Sequence, residues 1–241
     1  MKVSDIITNT INRFPIGYVF TYNDFNIEVT QKEAAIKHLN RLVQNGKLAK
    51  LSKGKYYKPE QTRFGQLPVS EYQVVKDLLE QDGRVIGYIT GYRAYNMMHL
   101  TTQVPNTIHI GTNKFKNPTV RGVYKIKFVV QNNTITKESI PLLRFLDAIK
   151  NIKKIPGTLT DEAVVILLGI LRDLSQNELQ NIKRLSMKYT PATRALLGAM
   201  VESIYPNDNL SSLYETLNPI TKYKLGVSQD ALQTKERWNI I

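Results

Sequence analysis

The sequence predicts an α+β protein: an N-terminal winged helix-turn-helix followed by a mixed domain with a small sheet and a C-terminal helical bundle. Three observations predict it. The first sixty residues read as helix, short helix, capped helix and basic hairpin. Residues 107–112 and 123–130 have strand character. From Pro141 onward apolar residues recur at helical spacing, with helix-start signals at Thr160, Ser175 and Thr190.

The elements follow in chain order. Val3, Ile6, Ile7, Ile11 and Phe14 share one helical face, with Ser4 and Asp5 near its start and Pro15 at its end. Tyr18-Val19-Phe20 is a short extended piece. Thr21 to Phe25 reads as a very short helix, with Thr21 capping and Asp24 three residues on. Thr30-Gln31-Lys32-Glu33 has the pattern of a capping box, and Ala35, Ile36, Leu39, Leu42 and Val43 form the apolar face behind it. That helix stops at Asn45-Gly46, where glycine tolerates the left-handed turn. Its opposite face carries Ala34, Lys37, Arg41 and Gln44, with Gln31 and Lys32 leading. Two strand-like runs then flank Ser52-Lys53-Gly54. Lysines 47, 50, 53, 55 and 58 lie along this hairpin with no acid among them. Edge strands carry lysine to block aggregation, which accounts for one or two of these better than for five.

A helix fits the major groove of B-DNA, where base edges present a readable donor and acceptor pattern. The candidate DNA-binding residues are Gln31, Lys32, Lys37, Arg41, Gln44, Lys50, Lys53 and Lys55. Arg41 suits a bidentate grip on guanine and Gln31 one on adenine, while the lysines suit phosphates. His38 reads as a surface or boundary histidine. Residues 1–62 hold ten Lys or Arg against five Asp or Glu, a net of +5. Winged helices also bind protein, but here the charge sits mostly on the two elements that would face DNA.

The expected domains are 1–62 and 63–241, joined by a linker-like stretch from Pro59 to Pro68. Ser70 to Gln73 has the pattern of a second capping box, with an apolar stripe of Tyr72, Val75, Leu78 and Leu79 ending at Asp82-Gly83. A short helix is expected from Thr90 to about Met98, and strands at 107–112 and 123–130, where Tyr124, Ile126, Phe128 and Val130 share a face. Helices follow at Pro141–Asn151, after Thr160 with Asp161 and Glu162 in the first turn, after the Ser175–Glu178 box, and from Thr190-Pro191 to about Tyr205. Beyond Pro206 the chain reads as a polar tail.

The formal net charge of the whole chain is +13, which favours a polyanionic partner. No acid occurs between Asp82 and Glu138. Lys114, Lys116, Arg121, Lys125 and Lys127 in that window make a candidate second basic surface. The alternatives are a solvated sheet face or a nucleic-acid backbone contact. Tyr88, Tyr92, Tyr95 and Tyr124 are interleaved, as in stacking platforms for unpaired bases, although tyrosines at such spacing more often belong to a core.

The chain has no cysteine and three histidines, with no carboxylates at ligand spacing. No metal or cofactor is expected, nor an enzyme: there is no phosphate loop and no nucleophile motif. No run reaches the roughly 18 apolar residues of a membrane span. No signal core follows Met1, so a cytoplasmic protein is expected.

Asp24-Phe25, Leu42-x-x-x-Gly46-x-Leu48 and Gly54-Lys55-Tyr56 together resemble the winged domain of AbiEi-type antitoxins. Further on, Tyr88-Ile89-Thr90-Gly91, Ala94 and His99-Leu100-Thr101-Thr102-Gln103-Val104-Pro105 are similar to the family's segment before a strand. Thr90 and Gly91 stand where Ser and Ala are usual, and His99 where glycine is. Thr190 to Glu202 resembles a late helix of the family. The resemblance spans about residues 1–205. It implies a bacterial antitoxin of a type IV toxin–antitoxin system. Such a protein represses its own operon by binding double-stranded promoter inverted repeats, with two copies on the DNA. Its second domain neutralises a nucleotidyltransferase-like toxin without a stable complex. A stand-alone regulator with no toxin partner is the alternative; an RNA-binding or enzymatic second domain is another.

Overall fold

The computed structural model describes residues 2–63 and 65–241. The chain is α+β and folds into two compact units, Met1–Leu78 with Thr119–Lys125, and Leu79–Pro118 with Ile126–Ile241.

In the first unit α1 (Val3–Arg13) is followed by β1 (Val19–Phe20) and a 3-10 turn (Tyr22–Asp24). A second 3-10 turn (Val29–Gln31) leads into α2 (Lys32–Gln44), then β2 (Ala49–Ser52) and β3 (Lys55–Tyr57). The strands form an antiparallel sheet in the order β1-β3-β2, with Val19 opposite Tyr57 and Ala49 opposite Tyr57 on the other side. This succession of helix, strand, turn, helix and hairpin is a winged helix-turn-helix. Ile7 and Ile11 of α1 bury against Ala35 and Leu39 of α2, and Phe20, Phe25, Leu48 and Tyr56 complete the core. Phe20 and Phe25 meet edge-on with centroids 5.7 Å apart, while Phe20 and Tyr56 stack at 6.3 Å.

The short-range signals at this end divide. Thr21 and Asp24 form the expected reciprocal cap: the Thr21 amide donates to Asp24 Oδ2 at 2.7 Å and the Asn23 amide to Thr21 Oγ1 at 3.2 Å. Thr30 does not cap α2. It lies inside the 3-10 turn, and its hydroxyl donates to Glu28 Oε2 at 3.2 Å. A residue already in helical backbone cannot turn its side chain onto the amides ahead of it, so Gln31 takes the N-cap position with no side-chain bond. At the other end Gly46 has φ +69°. The Gly46 amide donates to Val43 O and the Lys47 amide to Leu42 O, both at 3.0 Å, the pattern of a Schellman stop.

The stretch expected as a linker contains β4 (Glu60–Thr62) paired with β5 (Gly65–Leu67), Thr62 opposite Gly65. The helix α3 (Glu71–Leu79) follows. The boundary expected after residue 62 therefore falls at Leu78. The physical reason is that α3 gives side chains to the first unit. Gln73 Oε1 accepts the Val19 amide at 3.1 Å, and Lys76 Nζ stands 3.4 Å over the Tyr18 ring. Ser70 makes only half of its expected box, accepting the Gln73 amide at 3.5 Å, because the Gln73 side chain is drawn to β1.

The second unit opens with β6 (Glu80–Gln81) and β7 (Arg84–Val85), joined by Asp82 (φ +49°) and Gly83 (φ +73°), two positive-φ residues as a tight hairpin requires. Then come β8 (Gly87–Thr90), α4 (Tyr92–Met97) and β9 (Thr107–Thr112), with β8 antiparallel to β9 and Tyr88 opposite Gly111. The close approach requires glycine at 111, because a Cβ there would overlap the Tyr88 ring. After β10 (Thr119–Arg121), β11 (Tyr124–Val130) lies beside β9. The hairpin tip, residues 119–125, is packed in the first unit, where the Gly122 amide donates to Leu51 O at 3.0 Å.

The helices α5 (Ile140–Lys150), α6 (Thr160–Arg172), α7 (Gln176–Ser186) and α8 (Pro191–Ile204) build the larger core around Leu143, Leu146, Leu167 and Leu196. Ser175 and Glu178 cap α7 reciprocally, and Thr190 Oγ1 accepts the Thr193 amide ahead of Pro191. For α6 the N-cap is Leu159, one residue before the expected Thr160, with the Leu159 amide donating to Glu162 Oε2 at 3.1 Å. The expected polar tail is a correction. Leu210, Leu213, Leu217, Tyr223, Val227, Leu232, Trp238 and Ile240 are all buried, α9 (Ser211–Tyr214) forms, and Tyr223 bridges Ile240. Their apolar positions lack helical or strand period, so periodicity could not find them.

Candidate nucleic-acid interface

The inner face of α2 is tied down by Ala35, Leu39 and Leu42, and Tyr56 Oη donates to Asn40 Oδ1 at 3.1 Å. That packing turns Lys32, Ala34, Lys37, Arg41 and Gln44 outward, all exposed, while Gln31 is half-buried. Lys32 Nζ lies 4.5 Å over the Tyr22 ring, a cation–π contact that steadies it at the head of the helix. Val29, which sequence reasoning passed over, is 88% exposed in the turn before α2. An apolar side chain there suits a thymine methyl. Its only sequence signal is an isolated valine among polar residues.

On the wing, Lys47, Lys50 and Lys53 are exposed and Lys58 is half-buried. Gly54, with φ +72°, makes the Lys53-Gly54 turn that carries the tip outward. Lys55 differs from the others. Its Nζ donates to Asp77 Oδ2 at 2.9 Å and its side chain is 17% exposed. It holds the wing to α3 and is not a free phosphate ligand in this state.

His38 is half-buried between α1 and α2. Its Nε2 is 3.1 Å from Thr8 Oγ1, and its Nδ1 is 3.0 Å from Arg41 Nη2. Burial and the Arg41 charge lower its pKa, against a weaker opposite pull from Asp5.

One member of the candidate second basic surface is withdrawn from solvent. Arg121 is 8% exposed; its Nη1 donates to Asp77 Oδ1 at 2.5 Å and to Val74 O at 2.7 Å. An isolated arginine between valine and glycine in sequence carries no sign of the carboxylate that buries it. Lys125 is exposed in the first unit. Lys114 and Lys127 are exposed in the second, where Lys116 Nζ lies 5.7 Å from the Phe128 ring centre. Tyr88 and Tyr95 are 2% and 4% exposed, so they are core and not stacking platforms.

Inside the second unit a cleft of about 290 Å³ is lined by Thr90, Tyr92, His109, Asp147, Lys150 and Lys154, among others. At its floor Asp147 is buried. Its Oδ2 accepts from Tyr88 Oη at 2.8 Å and Thr90 Oγ1 at 2.6 Å, and its Oδ1 from Tyr189 Oη at 2.9 Å. Burial pushes its pKa up although those three donors favour the charged form. Gln131 Nε2 donates to both tyrosine hydroxyls, at 2.9 and 2.8 Å. With both carboxylate oxygens engaged, Asp147 serves as the acceptor that organises a polar core. His109 sits against Gly91, burial first and then Lys127 lowering its pKa. Among the described residues no group of three or more His, Asp or Glu is placed to hold a metal ion, and no helix is long and apolar enough to cross a membrane.

Among solved structures, the crystal structure of the RV2827C protein from Mycobacterium tuberculosis matches with a TM-score of 0.58 at 13% identity. The match covers 93% of this chain and 86% of that one, a likeness of fold. No curated protein matches the chain. Residues 6–188 match a family model described as a family of unknown function (DUF6088), and the chain belongs to that family.

Proposed function

We propose that the chain is a duplex DNA-binding transcriptional repressor. The observation that carries this reading is the outward face of α2, Lys32, Lys37, Arg41 and Gln44, continued by Lys47, Lys50 and Lys53 on the wing. In this reading α2 enters the major groove with Arg41 and Gln31 at base edges, and the lysines hold phosphates. Glu33, in the first turn of α2, is also exposed and lies four residues before Lys37 on the same outward face.

The resemblance to AbiEi-type antitoxins supplies the rest of the proposal: two copies on promoter inverted repeats, and a second unit that neutralises a nucleotidyltransferase-like toxin. One detail of the backbone fits that resemblance. His99 has φ +59° and closes α4, with the Leu100 amide donating to Tyr95 O at 2.8 Å. Glycine is the residue such a left-handed position favours, and glycine is what the family pattern carries there. A cytoplasmic location belongs to the same proposal.

The test is a mobility shift of the full chain on its own upstream duplex across a salt series. Phosphate contacts require log affinity to fall linearly with log salt. Absence of binding to any duplex, or affinity indifferent to salt, sinks the reading. Growth rescue on co-expression with a nucleotidyltransferase-like toxin, should its gene adjoin this one, tests the antitoxin half.

A further inference from the structure

We infer that His38 is a positioning residue for base readout: its neutral imidazole bridges Thr8 of α1 to Arg41 of α2 and holds the guanidinium aimed outward. This deepens the DNA-binding reading above and rests on it.

The two bonds of His38 fix the chemistry. A guanidinium only donates, so at the 3.0 Å contact His38 Nδ1 must be the acceptor. The ring proton is then on Nε2 and donates to Thr8 Oγ1 at 3.1 Å. One Nη2 hydrogen of Arg41 is occupied. The other Nη2 hydrogen and those of Nη1 stay free, and an Nη1/Nη2 pair is what a bidentate contact to guanine needs. An arginine held by its neighbour before DNA arrives loses less freedom on binding than one that swings in solvent.

The same bond makes readout sensitive to acid. Protonation converts Nδ1 from acceptor to donor, breaks the Arg41 contact and sets two cations side by side. The charged groups around the ring are Asp5 on α1, which favours protonation, and Arg41 on α2, which opposes it. Lys37 precedes it on the helix, and Lys47 and Lys58 line the adjoining groove from the wing side. Burial first, and then the Arg41 charge, keeps the ring neutral near pH 7. Once charged, His38 adds a cation near the phosphates while Arg41 loses its aim. Discrimination and electrostatic affinity should therefore move in opposite directions.

The experiment uses the full chain, a duplex it selects from a randomised pool near neutrality, and a scrambled duplex of equal length. Binding is measured between about pH 8 and pH 5, across salt. The affinity ratio of selected to scrambled duplex should fall about tenfold toward pH 5. The log-log salt slope should steepen by about 0.9. His38→Asn keeps an acceptor near the Nδ1 position without titrating, so its ratio should stay high and flat. His38→Leu, checked for folding by circular dichroism, should show the low ratio at every pH. A wild-type ratio unchanged over this range, or His38→Leu equal to wild type, overturns the inference while leaving DNA binding intact. No binding to either duplex at any pH overturns the DNA-binding reading and this one together.

Discussion

Arg121 and Asp77 form a two-point ion pair, Nη1 to Oδ1 at 2.5 Å and Nη2 to Oδ2 at 3.0 Å, and Lys55 closes on the same carboxylate at 2.9 Å. Burial alone would raise the pKa of Asp77, but the hydrogen bonds from Arg121 and Lys55 hold it below the usual carboxylate value. A depressed folded pKa means stability that is present above the unfolded value, about 3.9, and lost as pH falls through the folded one.

The first unit should accordingly lose stability on acidification below about pH 4, and Asp77→Asn should flatten that loss. Arg121→Ala, which strips the carboxylate of its main partner and removes the bond to the Val74 carbonyl, should cost about 1–3 kcal/mol in urea unfolding. A smaller cost than about 0.5 kcal/mol would mean that the pair is solvated in solution.

Lys55 offers a clean separation of roles. Lys50→Ala and Lys53→Ala should each lower the salt slope of duplex binding by about 0.9 without affecting stability. Lys55→Ala should destabilise the unit and leave the salt slope nearly unchanged. Equal salt effects from all three would show that Lys55 leaves Asp77 to meet phosphate.

At Asp147 the sign is reversed. Burial raises its folded pKa, so the folded state holds a proton that the unfolded chain releases, and stability falls as pH rises from the unfolded value to the folded one. Asp147→Asn should abolish that fall in a series of unfolding curves. Asp147→Ala, which leaves the hydroxyls of Tyr88, Thr90 and Tyr189 without their acceptor, should destabilise the unit by about 1–3 kcal/mol for each hydroxyl left unpaired.

The C-terminal segment should behave as core. Trp238 is 1% exposed, donates from Nε1 to Glu202 Oε2 at 2.7 Å and lies on Gly198, where a Cβ would overlap its ring. Trp238→Ala should cost about 3–5 kcal/mol, and Gly198→Ala about 1–3 kcal/mol from overpacking. Removing residues 206–241 should expose the α8 surface and leave the second unit unable to give a cooperative melt. A truncated chain that melts like the full one would refute the assignment.

By itself the sequence determined those elements whose causes lie within a few residues. The α2 stop at Asn45-Gly46, the Ser175–Glu178 cap, the Thr21–Asp24 turn and the β9 strand each depend on neighbours along the chain or on a backbone angle that glycine permits. So did the outward set of Lys32, Lys37 and Arg41, because a 3.6-residue period separates inner from outer once Ala35, Leu39 and Leu42 are placed. Tertiary structure decided where a side chain had two uses. Gln73 meets Val19 instead of Ser70, Lys55 and Arg121 meet Asp77 instead of solvent, and His38 meets Arg41 and Thr8. It also buried Trp238 and the aperiodic segment around it. The physical reason is one of range. Capping and periodicity act over three or four residues, whereas these contacts join positions up to 54 residues apart or depend on which face a neighbouring element presents. Nothing in the local pattern specifies such a partner.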